Sequence, residues 1–284
     1  MIRWMALLLL ASPAMAAEPE VFFQSHRGGM NEVPENTLAA LEHSWAIPGA
    51  VPEVDLRTTR DGVIICLHDA TLERTTNAAP PEASIPVEQM DYEQVLRWDA
   101  GVRFHERYQG ERVPRLDEVF SRMKERPERQ INLDLKAVSL EAVVALIDAH
   151  GLREQVWWVH GQPSMCEKLA ALWPGSRVMT WISDPPETLK RRFERMAERD
   201  FHNVSLLQFH LRPVESVSPI RYELDDAYLQ SAIETLASKG VQLQVRPFAF
   251  DAESLRRLTG LGIRWFVTDD PKAFREALTA AGLP

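Results

Sequence analysis

The second half of the chain is constrained by one pattern: short apolar runs of strand length alternate with longer amphipathic stretches of helix length. The spacing predicts strands over 130–136, 155–159, 177–182, 203–207, 241–246 and 265–268. Between and around them it predicts helices over 116–126, 139–150, 163–173, 187–200, 225–239, 253–259 and 272–281. Ser139 is placed to cap one helix, and Gly151 and Gly240 to stop two others. Strand–helix alternation over this length requires an α/β fold with a parallel sheet. The pattern alone admits a closed barrel or a doubly wound open sheet, but no glycine-rich phosphate loop follows the first strand.

The first third adds three strands and most of the polar residues that attract attention. Val21-Phe22-Phe23 reads as a short buried strand ending at His26-Arg27. Pro34 is set to open a helix over 35–45, where its missing N–H does no harm. A strand centred on Val51 carries Glu53 and Asp55. Side chains two apart leave a strand on the same face, so these carboxylates converge and repel unless a cation lies between them. The run 63–67 ends at His68, and Arg60-Asp61-Gly62 turns it back on its neighbour. The strands then number one more than a closed eight-stranded barrel holds. In the later strand INLDLK, Asp134 and Lys136 share a face in the same way. Alone, a Glu-x-Asp pair is most simply a salt-bridged or solvated surface feature, and Arg27 most simply a partner for Glu35. His43, His105, His150, His160, His202 and His210 read as structural, as do Asp69, Asp269 and Asp270.

Three blocks, HRGGMNEVPENT, EVDLRTTRDG and HDATLERTTN, stand in an order and spacing that resembles the glycerophosphodiester phosphodiesterase family. GVRFHERYQGERVPRLDEVF, INLDLK and WFVTDDP resemble further segments of that family, so the likeness runs from about Phe23 to Pro271. The resemblance implies a (β/α)8 TIM barrel with a short insertion, residues 78–113, near the barrel mouth. It implies metal-dependent hydrolysis of glycerophosphodiesters to glycerol 3-phosphate and an alcohol. Carried over residue by residue, it makes His26 and His68 the acid–base pair and Glu53, Asp55 and Asp134 the metal ligands. Many members have Glu where Asp134 stands. Three carboxylates without a Cys/His set point to a hard cation, Ca²⁺ or Mg²⁺. Arg27 and Lys136 are the candidate phosphate ligands, Arg offering a planar fork and Lys a compact charge. Arg246 stands where the family usually brings a tryptophan to the mouth, which makes it a candidate contact to the head group, or else a partner for Asp269.

The chain begins with one positive charge, a short apolar run and Ala14-Met15-Ala16, the pattern of a secretory signal peptide over 1–16. That predicts an exported protein, periplasmic or secreted, with one domain over 17–284. The apolar run is too short for a stable membrane anchor. A net charge of −9 and no basic block argue against nucleic acid as a partner. Cys66 and Cys166 fall in separate predicted elements and read as two buried thiols rather than a disulfide. Two other functions compete with the leading one. A lysophospholipase D-like phosphodiesterase would show an apolar mouth. A catalytically silent phosphodiester-binding protein would have lost His26, Glu53, Asp55 or His68, and all four are present.

Overall fold

Eight parallel strands close on themselves in the computed structural model, which describes residues 21–215 and 217–284. The strands are β1 (Phe22–Ser25), β2 (Ala50–Thr58), β3 (Ile64–Cys66), β4 (Ile131–Ala137), β5 (Val156–Val159), β6 (Arg177–Ile182), β7 (Leu206–Leu211), β8 (Gln242–Pro247) and β9 (Trp265–Thr268). Their order is β1-β9-β8-β7-β6-β5-β4-β2, and β1 pairs with β2 to complete the ring. β3 is the extra strand, antiparallel to β2. The helices are α1 (Leu38–Trp45), α2 (Tyr92–Val95), α3 (Leu116–Met123), α4 (Leu140–His150), α5 (Pro163–Leu172), α6 (Pro186–Ala197), α7 (Asp226–Ala237), α8 (Ala252–Gly260) and α9 (Pro271–Ala280). This is a (β/α)8 barrel. The signal peptide expected over 1–16 lies outside the described residues. Among those residues no helix is long and apolar enough to cross a membrane. Cys66 and Cys166 are both buried and free.

Strand alternation divides the core in two. Outward residues such as Phe23, Val54, Leu133, Trp158, Phe209 and Phe266 are fully buried beneath the helices. Inward residues fill the barrel in layers. At the N-terminal end Phe22 stacks on Trp265 and Trp265 packs on Trp157, each with ring centroids 4.9 Å apart, closing that end with aromatic surface. Above them Gln24, Gln208 and Gln244 are buried, and the next inward residues up those strands are His26, His210 and Arg246. The barrel therefore has a sealed base and a polar mouth.

β2 is shared unequally. Its lower residues pair with β1 (Phe23 with Ala50, Ser25 with Pro52), and its upper residues pair with β3 on the same side (Leu56 with Cys66). β1 thus departs after Ser25, and a single helical turn, His26–Gly28, lies beside Glu53. Residues 78–113 pack their own small core of Val87, Met90, Tyr92, Val95 and Val113 against Ile65 and Leu67, so the insertion is anchored to β3.

Several boundaries differ from expectation: α3 ends at Met123 rather than 126 and α6 at Ala197 rather than 200, and two further shifts have a clear physical reason. α1 begins at Leu38, capped by Thr37, whose hydroxyl accepts from the Ala40 N–H. Asn36 is held left-handed, with φ of 58°, so no helix runs through from Pro34. β7 runs over Leu206–Leu211 rather than 203–207. Asp200, Phe201 and His202 take left-handed backbones that delay its start, and Gln208 and His210, polar residues that looked like its end, point into the polar barrel.

Candidate active site

The register of two strands builds an acidic centre. Asp55 pairs across the sheet with Asp134, and Glu53 with Asn132, so the inward carboxylates of β2 and β4 meet. One oxygen from each of Glu53, Asp55 and Asp134 lies within 4.8 Å of the others, and all three residues are buried. Each carboxylate has one oxygen tied back by the protein. Glu53 Oε2 accepts the Arg27 N–H at 2.6 Å. Asp55 Oδ2 accepts from Asn36 Nδ2 at 2.8 Å. Asp134 Oδ2 accepts from Lys136 Nζ at 2.7 Å. Asp55 Oδ1 is buried without a hydrogen bond; Lys136 Nζ approaches it at 3.2 Å, outside hydrogen-bonding geometry.

Such a cluster is unfavourable by itself. Burial, then the charges of Asp55 and Asp134, push the Glu53 carboxyl well above its usual range. Burial pushes Asp134 up to about 6, against the pull of Lys136. Crowded oxygen donors, one of them orphaned, fit a hard divalent cation, which would relieve both burial and repulsion. The residues present therefore fit the ion that the sequence led us to expect.

The two histidines are held alike. His26 Nδ1 lies 2.7 Å from Asp269 Oδ1, and His68 Nδ1 lies 2.7 Å from Asp69 Oδ1. A carboxylate only accepts, so each Nδ1 carries the proton and each Nε2 is left for chemistry. Each aspartate is gripped by an arginine: Arg246 Nη2 donates to both oxygens of Asp269 at 2.8 Å, and Arg74 Nε donates to Asp69 Oδ2 at 2.7 Å. Burial, followed by the positive charge of Arg246 and Arg27, holds His26 below its ordinary pKa, against the raising pull of Asp269. Asp69 does not point away as strand alternation required. β3 ends at Cys66, the chain turns, and the carboxylate swings back to its neighbour. Asp269 likewise is more than part of a turn before Pro271.

His26, Arg27, Glu53, His68, Asp134, Lys136, His210 and Arg246 all line one cavity of about 210 Å³ at the C-terminal ends of the strands, where catalytic groups sit in barrels of this kind. Within it Arg27 donates to Glu35 at 3.1 Å, the simple pairing that its sequence context allowed. Arg246 pairs with Asp269, the second of the two roles open to it. Sequence reasoning passed over Asn36, Asp69, Asp269 and His210. Only Asp269 left a trace, as the acid open to Arg246; Asn36 left none, because its segment reads as a helix start.

Fold and site together define a (β/α)8-barrel protein with a carboxylate cation site and two aspartate-held histidines across one small cavity, the make-up of a metal-assisted acid–base catalyst. The chain belongs to the glycerophosphoryl diester phosphodiesterase family, whose model matches residues 26–273. A glycerophosphodiester phosphodiesterase of Caldanaerobacter subterraneus is 34% identical over 113 residues, 40% of this chain and 44% of that protein. A lysophospholipase D of Rattus norvegicus is 29% identical over 153 residues, 51% of this chain and 46% of that protein. The matches thus span less than half the length of these curated relatives. Among solved structures, a glycerophosphodiester phosphodiesterase of Agrobacterium tumefaciens superposes with a TM-score of 0.69 at 24% identity, covering 90% of this chain and 99% of that one. An Oleispira antarctica phosphodiesterase in complex with the product sn-glycerol-3-phosphate gives 0.69 at 22% identity, covering 91% and 96%. At these identities the structural likeness is one of fold.

Proposed function

We propose that this chain is an exported, metal-dependent glycerophosphodiester phosphodiesterase that releases sn-glycerol 3-phosphate and an alcohol. The observation that carries the reading is a cavity lined by Glu53, Asp134 and two histidines with free Nε2 atoms, with buried Asp55 grouped within 4.8 Å of the other two carboxylates. Glu53, Asp55 and Asp134 would hold a divalent ion, Ca²⁺ or Mg²⁺, which would supply charge neutralisation for the phosphoryl group. Lys136 and Arg27 line the same cavity and supply fixed positive charge for the phosphate. His26, half-buried and with its pKa held down, takes the proton of the substrate's own glycerol hydroxyl as that oxygen bonds to phosphorus. His68 protonates the departing alcohol as the ester P–O bond breaks. Water then opens the cyclic glycerophosphate with the two histidines in reversed roles. Export rests on the charged and apolar pattern of residues 1–16.

A second reading has one observation in its favour. A groove of about 610 Å³ between α4 and α5, lined by Leu140, Met165 and Leu172, includes Lys136 and so adjoins the catalytic cavity. A lysophospholipase D-like activity would place an acyl chain there.

The experiment incubates purified protein with glycerophosphocholine, and in parallel with lysophosphatidylcholine, with Mg²⁺, with Ca²⁺ and with EDTA, assaying glycerol 3-phosphate and choline. Cation-dependent release of glycerol 3-phosphate from glycerophosphocholine is expected. Full turnover in excess EDTA would overturn the metal centre, and release of choline from the acylated substrate alone would favour the second reading.

A further inference from the structure

Arg246 and Asp269 form a unit apart from the acidic centre, on β8 and just beyond β9. Among the described residues, His26 has no hydrogen-bonding side-chain partner outside this unit. Asp269 Oδ1 takes the Nδ1 proton at 2.7 Å, and Arg246 Nη2 bridges both Asp269 oxygens at 2.8 Å. The bridge fixes the rotation of the carboxylate, and with it the direction from which Nδ1 is held. Arg246 Nη2 also stands 3.1 Å from His26 Nδ1. With Nδ1 protonated, that is a close approach of two donors, so the arginine cannot take the place of Asp269.

The arginine is itself held. Its backbone lies in register with His210 on β7, its guanidinium sits 5.3 Å over the Phe248 ring, and its side chain is only 15% exposed. A guanidinium bound on one side to a carboxylate and on another to an aromatic ring is poorly placed to follow the varied alcohols of different substrates.

We propose that Arg246 is a positioning residue: through Asp269 it fixes the rotamer and tautomer of His26, and it takes no part in choosing the alcohol. The inference rests on the hydrolytic reading given above. It differs from a head-group contact in what it does to rates. A positioning residue lowers kcat for every substrate by the same factor, whereas a head-group contact changes the ratio of kcat/KM between substrates.

The test measures kcat and KM for glycerophosphocholine and glycerophosphoglycerol in the native protein, Arg246→Ala, Arg246→Lys, Asp269→Asn and the double variant Arg246→Ala/Asp269→Asn. Asp269→Asn should lower kcat by about 10²–10⁴-fold, the scale for loss of a group that sets the tautomer of a catalytic histidine. Arg246→Ala should lower it on the order of 10-fold or more for both substrates, with KM nearly unchanged, and Arg246→Lys should recover part of the loss. The double variant should be no slower than Asp269→Asn within about 2-fold, because the arginine acts only through the aspartate. A substrate ratio shifted about 10-fold by Arg246→Ala, or losses that multiply in the double variant, would overturn the proposal. An inactive native protein would instead overturn the hydrolytic reading, so the two failures are distinguishable. Should Arg246→Ala not fold, Arg246→Lys decides alone: an unequal effect on the two substrates counts against positioning, and an equal drop in kcat counts for it.

Discussion

Asn36 holds Asp55 from both ends: its amide nitrogen donates to the carboxylate, and its amide oxygen accepts the Asp55 N–H at 2.9 Å. It does so from a left-handed backbone while almost fully buried. Asn36→Gly keeps that backbone and removes only the amide. The variant should fold, and its affinity for Ca²⁺ or Mg²⁺ should fall by about 10–100-fold, the usual effect of losing a group that orients a ligand; isothermal titration calorimetry measures this directly, and unchanged affinity would show that Asp55 needs no such support. Glu53 and Asp55 could be read from sequence because strand alternation alone puts both on one face. Asn36 could not, because in Pro34-Glu35-Asn36-Thr37 it looks like part of a helix start, and its partner lies on another element. Asp69 and Asp269 were missed for a related reason: each acts on a histidine through a turn, and alternation says nothing once the strand has ended.

At the scale of elements, the turn His26–Gly28 is where β1 hands its residues to the acidic centre. The turn needs Gly28: its φ is +80°, and a Cβ there would meet the Ala40 Cβ of α1 at 2.6 Å. Gly28→Ala should destabilise the fold by about 2–4 kcal/mol, backbone strain and clash together. Urea unfolding gives the loss, and Gly28→Ala/Ala40→Gly should return the part due to the clash. If Gly28→Ala is as stable as the native chain, the turn is looser than its packing implies. Most elements were legible in the sequence, since apolar runs between polar helical faces fall at the right lengths. The antiparallel return of β3 was legible in Arg60-Asp61-Gly62. β7 was displaced because its inward residues, Gln208 and His210, face a polar barrel mouth, where the rule that buried strand residues are apolar does not hold.

At the scale of the whole molecule, the mouth links stability to pH. Burial, with Arg246 and Arg212 next to it, holds His210 down to about 4, while the unfolded chain leaves it near its ordinary value of about 6.5. The folded state therefore resists a proton that the unfolded state accepts. His210 costs nothing above the unfolded value, destabilises the fold progressively as pH falls from about 6.5 to 4, and adds no further loss below that. His210→Gln should gain on the native protein by up to about 3 kcal/mol over that interval, measured by urea unfolding at pH 7 and pH 4. A constant difference between the two proteins across that range would show that His210 titrates normally.

The aromatic floor of Phe22, Trp157 and Trp265 has a consequence for traffic. It turns the barrel from a tunnel into a cup, and a cup has only its rim. Whatever enters must leave by the same opening. On the hydrolytic reading proposed above, the fragment bearing the phosphate would be the one held by Lys136 and Arg27, and its exit would compete with entry of the next substrate. On that reading, surroundings rich in the phosphate-bearing fragment would keep the vessel filled with its own product.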